Sequence, residues 1–136
     1  MKKIIGFSII VVMLLTGLAA CKKSGGGGGE CSEPALAVTT TPANNTNEAP
    51  AAGTSFPVMV NITGNLPASG ATIDIKARPE SSNTAFYSES KLATAAINNF
   101  TITNTPLGVP SIVEITITSK SCATNKWTGS FRYSRK

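Results

Sequence analysis

The stretch Val113-Glu114-Ile115-Thr116-Ile117-Thr118 places apolar and polar side chains in strict alternation. Successive side chains of a β-strand point to opposite faces, so this pattern predicts a strand with one buried and one wet face. The alternation recurs at residues 58–63 and 73–78, and in shorter or weaker form at 100–103, 127–133, 36–41 and 84–88. The sequence therefore predicts about seven short strands.

Turn-forming residues separate these strands. Stretches rich in Pro, Gly, Asn and Ser occupy residues 42–54, 64–70, 78–83, 104–110 and 121–125, and such clusters favour turns and loops. Strands with one wet face are typical of antiparallel sheets, whereas parallel strands are apolar on both faces. The expected fold is an all-β, antiparallel β-sandwich formed by residues 34–136, with a helical turn allowed at 91–96.

The alternation also predicts which face is buried. A register slip of one residue would expose a whole set of apolar side chains, so one face is strongly specified. The predicted core consists of Val58, Val60, Ile62, Ile73, Ile75, Phe100, Ile102, Val113, Ile115, Ile117, Trp127 and Phe131.

The order of strands and Pro/Gly corners resembles immunoglobulin-like and fibronectin-type-III-like modules of bacterial envelope proteins. Residues 100–108 followed by a long alternating strand are also similar to the prealbumin-like regulatory modules of surface proteins. These resemblances imply a sandwich architecture and no specific site. Antibody domains carry Trp between their two cysteines, whereas here Trp127 follows both Cys31 and Cys122.

The N-terminus has the order of a secretory signal. Met1-Lys2-Lys3 is basic, residues 4–15 are mostly apolar, and residues 16–20 are mostly small. This order predicts a signal peptide over residues 1–20, because the apolar run is short for a transmembrane helix of about 20 residues.

Leu18-Ala19-Ala20-Cys21 resembles the lipobox of bacterial lipoproteins. The resemblance implies that Cys21 receives a diacylglycerol, that cleavage precedes Cys21, and that further acylation, such as by palmitate, follows. An ordinary signal peptide with a chance Cys and an uncleaved anchor are the competing interpretations. Lys22, rather than Asp, follows Cys21, and in the enterobacterial scheme this resembles sorting to the outer membrane. Whether the protein faces the periplasm or the cell surface stays open.

A polar, glycine-rich stretch follows Cys21. Lys22-Lys23-Ser24 precedes five consecutive glycines, Gly25 to Gly29, and glycine-rich chains behave as flexible linkers. Residues 21–33 are therefore predicted to tether the lipid to the domain. Tether and Thr/Asn-rich sandwich together resemble small lipoproteins of the Bacteroidota.

Cys31 and Cys122 form an even pair in an exported chain. Disulfides persist outside the cytosol, so a Cys31–Cys122 bond is expected; the alternative is that Cys31 stays free. Two cysteines without any His make an incomplete zinc site, so no metal or other cofactor is expected.

The chain has few side chains that could act in catalysis. The chain has no His and one Asp, and its two outward-facing acids, Asp74 and Glu114, read as solvated neighbours. Acid–base chemistry at neutral pH usually employs His or paired carboxylates, so no catalytic residue is predicted and the protein is expected not to be an enzyme. The net charge of +5 falls to +3 without Lys2 and Lys3, and charge so spread excludes a nucleic-acid footprint.

One aromatic residue is a candidate for binding. Phe86 and Tyr87 are adjacent, so one ring is expected to face inward and the other outward. If Phe86 belongs to the core, Tyr87 is the best surface aromatic for contacting a partner.

These features predict a lipid-anchored cell-envelope protein with a non-catalytic β-sandwich that binds a partner or has a structural role. Its expected partners are the membrane, through lipid on Cys21, and an envelope protein or glycan. The alternatives are a carbohydrate-binding accessory lipoprotein, and a lipoprotein enzyme or inhibitor whose loop site carries no recognisable motif.

Overall fold

A computed structural model describes residues 31–136 of the chain. The predicted signal peptide, the lipidation of Cys21 and the glycine run of the tether lie outside the described residues.

The regular elements of residues 31–136 are all β-strands. They are β1 (Ala37–Thr41), β2 (Phe56–Gly64), β3 (Ala71–Pro79), β4 (Tyr87–Ala93), β5 (Ile97–Ile102), β6 (Ser111–Ser119) and β7 (Lys126–Tyr133). One sheet has the order β1-β2-β5, the other has the order β4-β3-β6-β7, and every pairing is antiparallel. The predicted seven-stranded antiparallel β-sandwich is confirmed. In constant-type immunoglobulin domains the fourth strand joins the first sheet, whereas β4 here extends the second sheet beside β3.

The core lies between the two sheets and follows the period-two pattern. The register sets Ile75 opposite Ile115 and Ile73 opposite Ile117, and all four side chains are buried. Eleven of the twelve predicted core residues are buried, with Trp127 half-buried. Burial of one Ile or Val side chain stabilises the fold by about 1.5–3 kcal/mol, so the alternation accounts for most of the packing.

Trp127 differs from the prediction because it lies near the start of β7, which has a strand neighbour on one side only. Its ring folds over Gly129, where an added Cβ would lie 2.9 Å from Cζ3 of Trp127. Towards the other end of β7, the partly buried Phe56 packs against Phe131 and Tyr133 with ring centroids 5.8 and 4.3 Å apart.

The strand β4 is longer and begins later than the 84–88 predicted for it, and the helical turn allowed at 91–96 is wrong. Residues 87–93 pair continuously with β3, so the first half of 91–96 is strand. Asn98 then donates from its side-chain amide to the carbonyls of Ala95 at 2.9 Å and Ala96 at 3.3 Å, which closes a tight turn into β5.

The two ends of the sandwich carry different segments. The end named here the cysteine end holds residues 31–36 and the loops 65–70, 94–96 and 120–125. At this end Gly70 has a φ of +81°, and an added Cβ would lie 2.7 Å from the carbonyl oxygen of Ala93, so only glycine fits. The opposite end, named the far end, holds the connections 42–55, 80–86 and 103–110.

Candidate functional site

Cys31 and Cys122 lie at disulfide-bonding distance, with their Cα atoms 5.6 Å apart. This separation falls within the usual range for disulfides, and the predicted pairing is confirmed at that level. The bond joins residues that are 91 positions apart and attaches the start of the described chain to the loop between β6 and β7.

Polar contacts reinforce this attachment. The Glu33 carboxylate accepts hydrogen bonds from the hydroxyl of Ser121 and from Nδ2 of Asn125, the latter at 3.1 Å. Asn125 also donates to the carbonyl of Pro34 at 3.1 Å and accepts from the backbone N–H of Leu36 at 3.3 Å. The hydrogen bond from Ser121 is the largest of the effects that lower the pKa of Glu33. Residues 31–33 of the predicted tether are thus held against the cysteine end.

Tyr87 occupies a different position from the one expected. It pairs with the buried Ala77, on the core-facing side of β4, and is half-buried like the adjacent Phe86. Its hydroxyl donates to the carboxylate of Glu89. Burial is the larger cause that raises the pKa of Tyr87, and Glu89 adds to it. Both rings pack against the core, so the expectation of one inward and one outward ring is wrong, while a binding role for Tyr87 stays a prediction.

A groove with a volume of about 660 Å³ crosses the outer face of the four-stranded sheet and is named here the outer groove. The register aligns polar side chains across its floor. Asp74 of β3 pairs with Thr116 of β6, which pairs with Thr128 of β7. The next row consists of Ser88, Lys76, Glu114 and Ser130.

The segment 43–48 forms a wall beside this floor. Oδ1 of Asn44 accepts from the backbone N–H of Ser130 at 2.8 Å, and the backbone N–H of Asn45 donates to the carbonyl of Ser130 at 2.7 Å. Two further backbone hydrogen bonds join the segment to Arg132. Asn45 has a φ of 64°, a left-handed conformation that Asn tolerates better than most residues. The wall is therefore fixed to the free edge of β7.

The charged side chains of the outer groove differ in whether they form an ion pair. Arg78 holds Glu114 through two hydrogen bonds, from Nη2 to Oε1 at 2.9 Å and from Nε to Oε2 at 3.3 Å. The hydrogen bond to Arg78 lowers the pKa of Glu114, so its carboxylate is ionised at neutral pH. Among residues 31–136 the exposed Asp74 and Lys76 form no ion pair, although Lys76 lies opposite Glu114 and its charge also lowers the pKa of Glu114.

Sequence reasoning identified part of this arrangement. The outward placement of Asp74 and Glu114 is confirmed, and both line the same groove. It missed Asn44 and Asn45, which belong to a stretch that reads only as a loop. Period-two alternation marked Lys76 as outward-facing, but nothing in one strand shows which strand lies beside it.

Two further observations bear on the chemistry. No three His, Cys, Asp or Glu side chains within residues 31–136 are grouped so that they could hold a metal ion. The described part of the chain contains no helix with the length and apolarity needed to cross a bilayer.

Comparison with protein-family models, with curated proteins and with solved structures gives no match for this chain.

Proposed function

We propose that the protein is a lipid-anchored component of the bacterial cell envelope, held at the outer membrane, whose β-sandwich is a non-catalytic binding or structural module. The observation that carries this proposal is the attachment of Cys31 at one end of the sandwich, ten positions after the lipobox-like Cys21. A lipid on Cys21 would hold the cysteine end near the membrane and present the far end and the sheet faces to partners.

The length of chain between the two cysteines supports this orientation. Ten residue steps span at most about 36 Å when fully extended, which is short for a tether. The contacts of Glu33 hold residues 31–33 to the sandwich, so the tether is attached to the domain from Cys31 onward. Two or three acyl chains anchor firmly, because each buried methylene contributes about 0.8 kcal/mol.

The electrostatics of the outer groove support a non-catalytic role. A general acid at neutral pH needs a raised pKa, whereas Arg78 lowers the pKa of Glu114. The hydroxyl-bearing side chains beside it have no His to activate them, since the chain contains none. The surfaces of the sandwich thus favour contact with a partner over turnover, and the partner class proposed is an envelope protein or glycan rather than nucleic acid.

Substitution of the lipidated residue tests the anchor. Cys21→Ser is expected to abolish metabolic labelling with an alkyne analogue of palmitate and to move the protein to the soluble or unprocessed fraction. Ser24→Ala, three residues further along the same polar stretch, is the matched control and should keep both labelling and membrane fractionation. Unchanged labelling in Cys21→Ser would contradict the proposal. Protease shaving of intact cells then shows which face of the membrane carries the module.

A further inference from the structure

We propose that the outer groove binds a neutral oligosaccharide through hydrogen bonds alone. This inference deepens the binding role proposed above and rests on that role, but it is independent of how the protein is anchored.

The lining of the outer groove matches a polyhydroxylated ligand. Its side chains end in hydroxyl, amide, carboxylate and ammonium groups. Ile75 and Ile115 also border it, but both side chains are 1% exposed in the core, so they offer only backbone. Because adjacent strands lie about 4.8 Å apart, Asp74, Thr116 and Thr128 form a row of polar groups across three strands. Such a row can exchange several hydrogen bonds with the hydroxyls of consecutive sugar rings.

Charge selects a neutral ligand. Among the described residues, the titratable side chains that line the groove are two carboxylates, Asp74 and Glu114, and one ammonium, Lys76. Arg78 already neutralises Glu114, so one carboxylate and one ammonium remain, and the groove has no excess of positive charge that would attract a polyanion. Asp74 is exposed and without an ion pair among the described residues. An ionised carboxylate accepts up to four hydrogen bonds, which suits vicinal hydroxyls.

An extended peptide fits the outer groove less well. Peptides that add to a sheet need an exposed strand edge, with pockets for alternate side chains. Segment 43–48 occupies the edge of β7 that borders the groove, and within residues 31–136 no apolar side chain projects into the groove to form a pocket.

The groove is pre-organised. Most of its polar groups stand on paired strands, and the wall is tied to Ser130 by the side chain of Asn44 and the backbone of Asn45. With its Oδ1 engaged, Asn44 keeps its NH₂ group as a donor for a ligand. Groups held rigidly lose little conformational freedom on binding. Since none of the described lining residues is aromatic, stacking adds nothing, and each site is expected to bind weakly and to gain from many copies acting together.

Saturation-transfer difference NMR detects weak binding through the ligand's own protons and suits the mature, full-length protein in detergent micelles. The probes are cellohexaose, xylohexaose, mannohexaose and maltohexaose, with hexagalacturonate as the acidic comparison. Two variants remove groove contacts, Thr116→Val and Asp74→Asn. Thr118→Val is the matched control, because Thr118 is the next outward residue of β6 and lies outside the groove.

At least one neutral hexasaccharide is expected to receive saturation. Thr116→Val should weaken its binding about three- to tenfold, as for a lost neutral hydrogen bond, and Asp74→Asn about tenfold or more, while Thr118→Val leaves it unchanged. Absence of transfer to all four neutral probes, transfer only to hexagalacturonate, or equal losses in Thr116→Val and Thr118→Val would overturn the inference. If the protein binds a neutral probe but Cys21→Ser keeps its palmitate labelling, the proposed lipid anchor is refuted and the oligosaccharide site is not.

Discussion

Removal of the Cys31–Cys122 bond is expected to destabilise the sandwich through the unfolded chain. The bond links residues 91 positions apart, and in the chain-entropy model a loop of that size restricts the unfolded state by about 4.6 kcal/mol at 25 °C. Cys31→Ser also frees residues 31–33 in the folded state, and each residue released returns about 1–2 kcal/mol of backbone entropy. The hydrogen bonds of Glu33 that remain limit this gain in entropy, so the free energy of unfolding is expected to fall by about 2–4 kcal/mol.

Urea unfolding of wild type and Cys31→Ser, followed by Trp127 fluorescence, measures this loss. Cys31 is the better residue to replace, because Cys122 is 2% exposed and its substitution would also disturb packing. The slope of the free energy of unfolding against urea should rise in the variant, since an uncrosslinked unfolded chain exposes more surface. A reductant should reproduce the effect in wild type and leave Cys31→Ser unchanged. Equal stability of the oxidised wild type and the variant would refute the reasoning.

Three further predictions concern packing and charge. Ile115→Ala is expected to cost about 2–5 kcal/mol in urea unfolding, whereas Thr116→Ala on the opposite face should stay within about 0.5 kcal/mol; similar losses would mean that the assigned burial is wrong. Gly129→Ala should cost about 1–3 kcal/mol and alter Trp127 emission, because the new methyl group would overlap the indole ring; an unperturbed spectrum would show that the ring lies elsewhere. The folded-state pKa of Glu114 is lowered from 4.5, so its contribution to stability is fully present above about pH 4.5 and is lost as the pH falls through the folded-state value. Glu114→Gln should therefore reduce the fall in melting temperature at acid pH, and an identical fall in both proteins would contradict the ion pair.

The core was predictable because burial imposes a period of two on each strand. Ile73, Ile75, Ile115 and Ile117 alternate with polar residues, and the structure buries all four. Local alternation does not show whether a residue lies at the edge of a sheet, so it predicted a buried Trp127 just as it predicted the four buried isoleucines. The rim position of Trp127 follows from strand order, which depends on contacts between distant residues.

The strand β4 and the outer groove show the same limit. Residues 87–93 have little alternation because the edge strand leaves Glu89 and Lys91 exposed even on its core-facing side. The groove joins side chains from β3, β4, β6 and β7 with a loop wall, so it exists only once these elements are assembled. The disulfide was predictable because the expected pairing rested on a count of cysteines and on the export that the N-terminus predicts, and neither needs the fold.

The charges on β4 have a consequence for proteins packed side by side. Glu89 and Lys91 lie opposite the inward-facing Ile75 and Ile73, and Nζ of Lys91 lies 5.5 Å from the centre of the Phe100 ring. If a second copy extended the sheet at β4, these charges would be buried in a shared apolar interior. Inward-pointing charges on an edge strand are one way in which proteins avoid edge-to-edge aggregation. The opposite edge of the same sheet is capped over part of its length by segment 43–48. Both edges of the four-stranded sheet therefore disfavour its extension into a continuous cross-β fibre by further copies of the chain.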